Sequence, residues 1–147
     1  MDNKKTLKKY IYERDIKQCR FCNKELEFRQ ISLDHYLPRS KKGPNDVFNI
    51  VLSCKKCNKY KENRVPSNYE EVLLDNFKQG VMDKKIKSSV VKLKHQDLLK
   101  IAETMNKIED IHTYTVFQGA KYRMYVRKDN VFKIIELSHV NQEKNQS

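Results

Sequence analysis

The chain has 147 residues, about one domain's length, and carries 31 Lys and Arg against 19 Asp and Glu for a net charge of +12. Its mean hydropathy is −0.85, no apolar run approaches the roughly 20 residues of a membrane span, and three glycines cannot supply a P-loop or a Rossmann phosphate loop. The start, Met1-Asp2-Asn3-Lys4-Lys5, lacks the apolar stretch of a secretory signal, so a cytoplasmic location without a membrane partner is expected.

Thr6 to Lys17 is predicted as a helix, because Leu7, Tyr10, Ile11 and Arg14 recur at helical spacing. Leu26 and Phe28, then Ile31 and Leu33, predict two short strand-like stretches. Arg39 to Asp46 reads as a loop rich in Lys, Gly, Pro and Asn, and Asn49 to Ser53 as a short apolar strand. Lys55 to Arg64 is predicted as a basic helix that stops before Val65-Pro66.

A helix is expected over 68–79, with Ser67 and Glu70 at capping-box spacing and Gly80 as its stop. Another is expected near 95–109, where Leu98, Ile101, Ala102, Met105 and Ile108 share a face. Residues 113–126 and 131–137 around Arg127-Lys128-Asp129-Asn130 predict a β-hairpin. Tyr114, Phe117, Tyr122 and Tyr125 are expected in its core rather than as a base-stacking platform. His95, His112 and His139 have no partner pattern and read as ordinary surface or core histidines, and the polar tail 141–147 reads as unstructured.

Charge is concentrated early. Residues 1–65 hold 17 basic and 8 acidic side chains, a net +9, against +3 for residues 66–147. Such an excess favours polyanions through phosphate neutralisation and counterion release, although solubility or an acidic protein partner would also account for it.

The cysteines occur only as two C-x-x-C pairs, Cys19/Cys22 and Cys54/Cys57, with 31 residues between them. Each pair can turn two thiolates toward one point, and two pairs complete a tetrahedral zinc site. Disulfides are disfavoured in a reducing compartment, and a thioredoxin-like dithiol needs one pair in a βαβ setting. A closed four-sulfur site has no open position, so this zinc is expected to hold the fold and do no chemistry.

Between the pairs stand Asp34 and His35, with Asn49 before the second pair and Asn58 directly after the last cysteine. Adjacent strand residues point to opposite faces, so Asp34 can bind a metal while His35 meets a water from another side. Asn58 sits on the first turn of a helix that the cysteines anchor. Two oxygen ligands and open water positions suit a hard ion such as Mg²⁺.

Arg14-Asp15, the first C-x-x-C, Asp34-His35 with Pro38 and Ser40, Asn49, and C-x-x-C-N-x-x-K at 54–61 occur in one order. This pattern, over roughly residues 10–66, resembles the HNH endonuclease family, the ββα-metal nucleases, in its four-cysteine zinc-bound subgroup. The resemblance implies a small zinc-stabilised ββα-metal core, which with its N-terminal helix is expected over 1–66. With the helical segment and C-terminal β-hairpin read from the pattern over 67–140, expected to serve recognition or oligomerisation, the whole reads as an α+β fold.

By the same resemblance, Asp34 and Asn58 would hold a catalytic Mg or Mn ion and His35 would be the general base. Asn49 would orient the loop that carries His35. Nucleic acid, with double-stranded DNA as the expected substrate, would be hydrolysed to 5′-phosphate and 3′-hydroxyl ends. Arg39, Lys41, Lys42, Lys55, Lys56, Lys59, Lys61 and Arg64 would grip phosphates. A monomer would nick, and a homodimer could cut both strands. Two departures from the family pattern are Asn23, where Gly often stands, and Lys42-Gly43-Pro44 in a loop that is often Gly-Gly; neither removes a ligand.

A non-catalytic zinc-ribbon nucleic-acid-binding module explains the cysteines and the charge as well, but not the placing of Asp34, His35 and Asn58. A protein-interaction adaptor would not predict the basic excess.

Overall fold

The computed structural model describes residues 4–61 and 63–137. The expected tail at 141–147 and His139 lie outside them. The chain divides into two compact units, residues 1–45 with 49–67 and residues 46–48 with 68–147. Among the described residues no helix is long and apolar enough to cross a membrane.

The first unit opens with helix α1, Lys4–Arg14, which buries Ile11. It ends earlier than expected because Ile16 and Lys17 take left-handed backbone (φ 49° and 62°). The chain then forms a tight knuckle around Cys19 and Cys22, closed by the Asn23 N–H donating to the Cys19 carbonyl at 2.8 Å. Asn23 has φ 64°, the left-handed geometry for which glycine is the usual residue.

No strand forms at 26–28. Phe28–Gln30 is a 3-10 turn instead, and Phe28 packs edge-on against Tyr12 with ring centroids 5.4 Å apart. Strand β1, Ile31–His35, pairs antiparallel with β2, Ile50–Cys54, in a register that sets Asp34 opposite Val51 and His35 opposite Ile50. Helix α2, Lys55–Lys61, follows at once, completing a ββα arrangement. All five β2 residues are buried.

The loop between β1 and β2 turns sharply at Gly43. A Cβ there would stand 1.7 Å from the Leu37 carbonyl oxygen, a position no side chain can share. The Gly43 N–H donates to the Pro38 carbonyl, so glycine is required here for close approach of two backbone segments.

In the second unit, helix α3, Tyr69–Met82, runs through the expected stop. Gly80 lies inside it because the Ile86 side chain would come within 2.7 Å of a Cβ at that position. The expected capping box does not form either: Asn68 is the N-cap, and Glu70 accepts a hydrogen bond from the Ile108 N–H at 2.7 Å. Strand β3 is Lys87–Ser88 and helix α4 is His95–Glu103.

The helix expected to reach 109 stops because 107–111 is strand β4. Strands β5, Thr115–Gln118, β6, Tyr122–Arg127, and β7, Asn130–Glu136, follow. The expected hairpin is therefore part of a five-stranded sheet, ordered β3-β7-β6-β5-β4, parallel only between β3 and β7. Lys128 and Asp129 (φ 51° and 60°) make the β6–β7 turn, with the twist that antiparallel hairpins prefer.

Of the four aromatic residues expected in the hairpin core, Phe117 is fully buried and stacks on Phe77 at 4.1 Å. Tyr114 and Tyr125 instead join Phe132 in a separate half-buried cluster, and Tyr122 is half-buried. His95 is half-buried on α4, and His112 is exposed beside Tyr114.

Candidate functional site

The four cysteines of the first unit converge, with their sulfur atoms all within 4.8 Å of one another. A tetrahedron with Zn–S bonds of about 2.3 Å has edges of about 3.8 Å, and the Cys22 and Cys54 sulfurs are 3.9 Å apart. The backbone builds this cluster from both sides. The Arg20 N–H donates to the Leu52 carbonyl, joining the knuckle to β2, and the Cys57 N–H donates to Cys54 Sγ at 3.3 Å.

The thiols titrate unequally. Burial pushes Cys19 up, but hydrogen bonds from the backbone at Cys54, Cys22 and Phe21 outweigh it and bring it to about 7. Burial, together with protons shared with Cys54, Cys22 and Cys19, pushes Cys57 far up. Sulfur ligands gathered this closely around one point fit a structural metal such as zinc.

A buried carboxylate supports the same frame. Asp15 accepts from Arg14 Nε at 2.9 Å, from Arg20 at 2.6 Å and from the Leu52 N–H at 2.8 Å. Arg14 also donates to the Ile50 carbonyl. Arg14-Asp15 thus ties α1 and the knuckle to β2.

Ser32 and Asp34 are two residues apart on β1 and share a face. Asn58, on the first turn of α2, donates from Nδ2 to Ser32 Oγ at 2.7 Å, which leaves its Oδ1 as the atom able to ligate. One turn further on, Lys61 places its ammonium 3.4 Å from Asp34 Oδ2 and donates to the His35 carbonyl. Asp34 Oδ1 accepts the His35 N–H at 2.8 Å, while Oδ2 is buried and has no hydrogen-bond partner. Asp34 Oδ2 is thus met by an ammonium and by no geometrically formed hydrogen bond, and the oxygen atoms of Asp34 and Asn58 are of the kind a hard divalent ion takes.

His35 Nε2 lies 2.7 Å from Asn45 Oδ1. An amide carbonyl oxygen accepts, so Nε2 carries a proton, and in the neutral ring the lone pair is then on Nδ1. Asn49 is fully buried and works on the backbone of the loop. Its Oδ1 accepts the Leu37 N–H, and its Nδ2 donates to the carbonyls of Leu37 and Pro44, all within 3.0 Å.

Among the residues expected to grip phosphates, Arg39 and Lys41 lie on an exposed 3-10 turn, with Lys42 just beyond. Lys55, Lys56 and Lys59 are exposed on α2, and Arg64 is exposed after it. Lys61 differs, since its side chain is 8% exposed and turned to Asp34. Ser32 and Asn45 are further polar residues at the site that the chain's motifs do not single out. Ser32 carried a usable signal, the two-residue parity with Asp34. Asn45 carried none, because its approach to His35 depends on the turn at Gly43.

A model of the HNH endonuclease family matches residues 19–74. No curated protein matches the chain. The match takes in both C-x-x-C pairs, Asp34, His35, Asn49 and Asn58, and it ends within α3. Residues 19–74 of the chain are accordingly similar to the HNH endonuclease family, with four cysteines placed to hold a metal ion.

Proposed function

We propose that the chain is a metal-dependent endonuclease that hydrolyses phosphodiester bonds in double-stranded DNA. The observation that carries this reading is the β1 face shared by Ser32 and Asp34, which Asn58 reaches from α2 by donating to Ser32 Oγ at 2.7 Å, with Asp34 Oδ2 buried beside the Lys61 ammonium. A divalent ion, Mg²⁺ or Mn²⁺, held by Asp34 and Asn58 would offset the negative charge that gathers on the phosphate as it is attacked.

His35 accepts the proton of the attacking water at Nδ1, because Asn45 holds the other proton on Nε2. Asn49 keeps the loop bearing Asn45 in place through its three backbone hydrogen bonds and is a positioning residue. Lys61 balances the charge of Asp34. Arg39, Lys41, Lys42, Lys55, Lys59 and Arg64 supply exposed cations for neighbouring phosphates. The two units serve as a nuclease core and as a region for recognition or self-association.

Plasmid cleavage with Mg²⁺ or Mn²⁺ tests the reading. His35→Ala should retain zinc and fold yet cut about 10²- to 10⁴-fold more slowly, and products of the parent should bear 5′-phosphates. A metal-loaded parent that shifts DNA in a gel but never cuts it would leave the non-catalytic binding module instead.

A further inference from the structure

Beside α2 the first unit has an open cleft of about 720 Å³ whose lining residues do not include Asp34, within the size range of ligand sites. Helical geometry separates the two sides. Asn58 and Lys61 form the stripe that meets β1, while Lys56 and Tyr60, four residues apart, share another stripe and line the cleft. Lys24 from the knuckle, Arg29 from the 3-10 turn and Lys55 at the start of α2 line it too, and Cys22, Cys54 and Cys57 bring the four-thiol cluster to its wall. Its lining among the described residues contains no Asp or Glu.

Two features distinguish this cleft from a solvated basic surface. Tyr60 is 62% exposed although it is large and aromatic, and the Lys59 ammonium lies 5.7 Å from its ring centre. The positive charge also exceeds local need. A divalent ion held by four thiolates keeps a net negative charge that two lysines would offset, and the cleft has three, Lys24, Lys55 and Lys56. Arg29 is paired with Glu27 at 2.7 Å.

We propose that this cleft binds a single strand of nucleic acid, with phosphates on Lys24, Lys55 and Lys56 and an unpaired base stacked on Tyr60. A ring with an open face stacks any base, and flanking cations track the backbone. An unpaired base, rather than a duplex, is what such a ring can take. The proposal rests on the nucleic-acid reading above but not on hydrolysis, so the two can fail separately.

The test uses the full, zinc-loaded chain without added Mg²⁺ or Mn²⁺, so that no strand is cut. Fluorescence anisotropy compares a labelled single-stranded oligonucleotide with a duplex of the same sequence. Tyr60→Ala should weaken single-strand binding about tenfold, Tyr60→Phe should restore it, and duplex binding should change little. Lys24→Ala should reduce the slope of log affinity against log salt by about 0.7. Ultraviolet cross-linking of the parent should place a nucleotide on the peptide containing Tyr60. Unchanged single-strand binding by Tyr60→Ala with zinc retained would overturn the proposal. So would equal losses on single strand and duplex, or a Lys24→Ala chain that binds less only because it has lost zinc.

Discussion

In the second unit Phe77 stacks on Phe117 at 4.1 Å, Phe48 meets both edge-on, and all three rings are fully buried. In the first unit the deeply buried groups around β2 include a carboxylate, Asp15, and an amide, Asn49, alongside Cys19 and Cys54. An aromatic core stabilises through area and packing. Buried polar clamps contribute less net free energy, but each fixes a direction as well as a distance. The unit that carries Asp34 and His35 is built around such clamps and a four-thiol cluster, and the other unit around rings.

The sharpest way to break this contrast is Cys54→Ser. Structural zinc sites contribute binding free energy on the order of 10 kcal/mol to folding, so zinc should be lost. Hydrogen exchange over 19–61 should then rise toward the unprotected rate while 115–136 stays protected. Equal loss in both segments would show that the second core depends on the first.

Phe77→Ala is the converse experiment. Removing a fully buried ring should cost about 3–5 kcal/mol, read as earlier denaturant unfolding of the sheet with zinc content unchanged. A fall in bound zinc would contradict the division of labour.

Asp46→Asn should have the smallest effect, within about 1 kcal/mol. Burial raises the Asp46 carboxyl above its ordinary 3.8 although it accepts the Asp129 N–H at 2.9 Å. The folded state therefore holds this proton more tightly than the unfolded chain. Its stabilising contribution is complete below the ordinary carboxylate range and is lost as pH rises through the raised value. Asp46→Asn, which keeps an acceptor for that N–H, should flatten the pH dependence of sheet unfolding in that window. Parent stability that rises with pH across the same window, with the variant showing no difference, would refute the assignment.

What could be read from sequence depended on how local its causes were. The cysteine pairs, β2 and α2 follow from residues within one turn of each other, and their order was enough to suggest the family whose model matches 19–74. Gly80 misled because its role is to admit Ile86, and Glu70 misled because it serves a strand 38 residues away. Ile108 shares helical spacing with Leu98 and Met105, yet pairing with Phe117 draws it into β4. Within the candidate site, residue types and spacing pointed to Asp34, His35, Asn49 and Asn58. The contact between His35 and Asn45 and the inward turn of Lys61 come from loop closure and helix docking, which no local pattern encodes.

Asp46, Val47 and Phe48 belong to the second unit, yet they are flanked by Asn45 and Asn49 of the first. The nuclease-family segment is therefore no detachable module. A truncation after Ser67 would keep every cysteine and every proposed ligand but strip Phe48 of Phe77 and Phe117, leaving a sticky ring directly beside Asn49. Grafting or minimising the first unit would call for a redesigned Asp46–Phe48 stretch, with a polar residue at position 48, before any proposed ligand is touched.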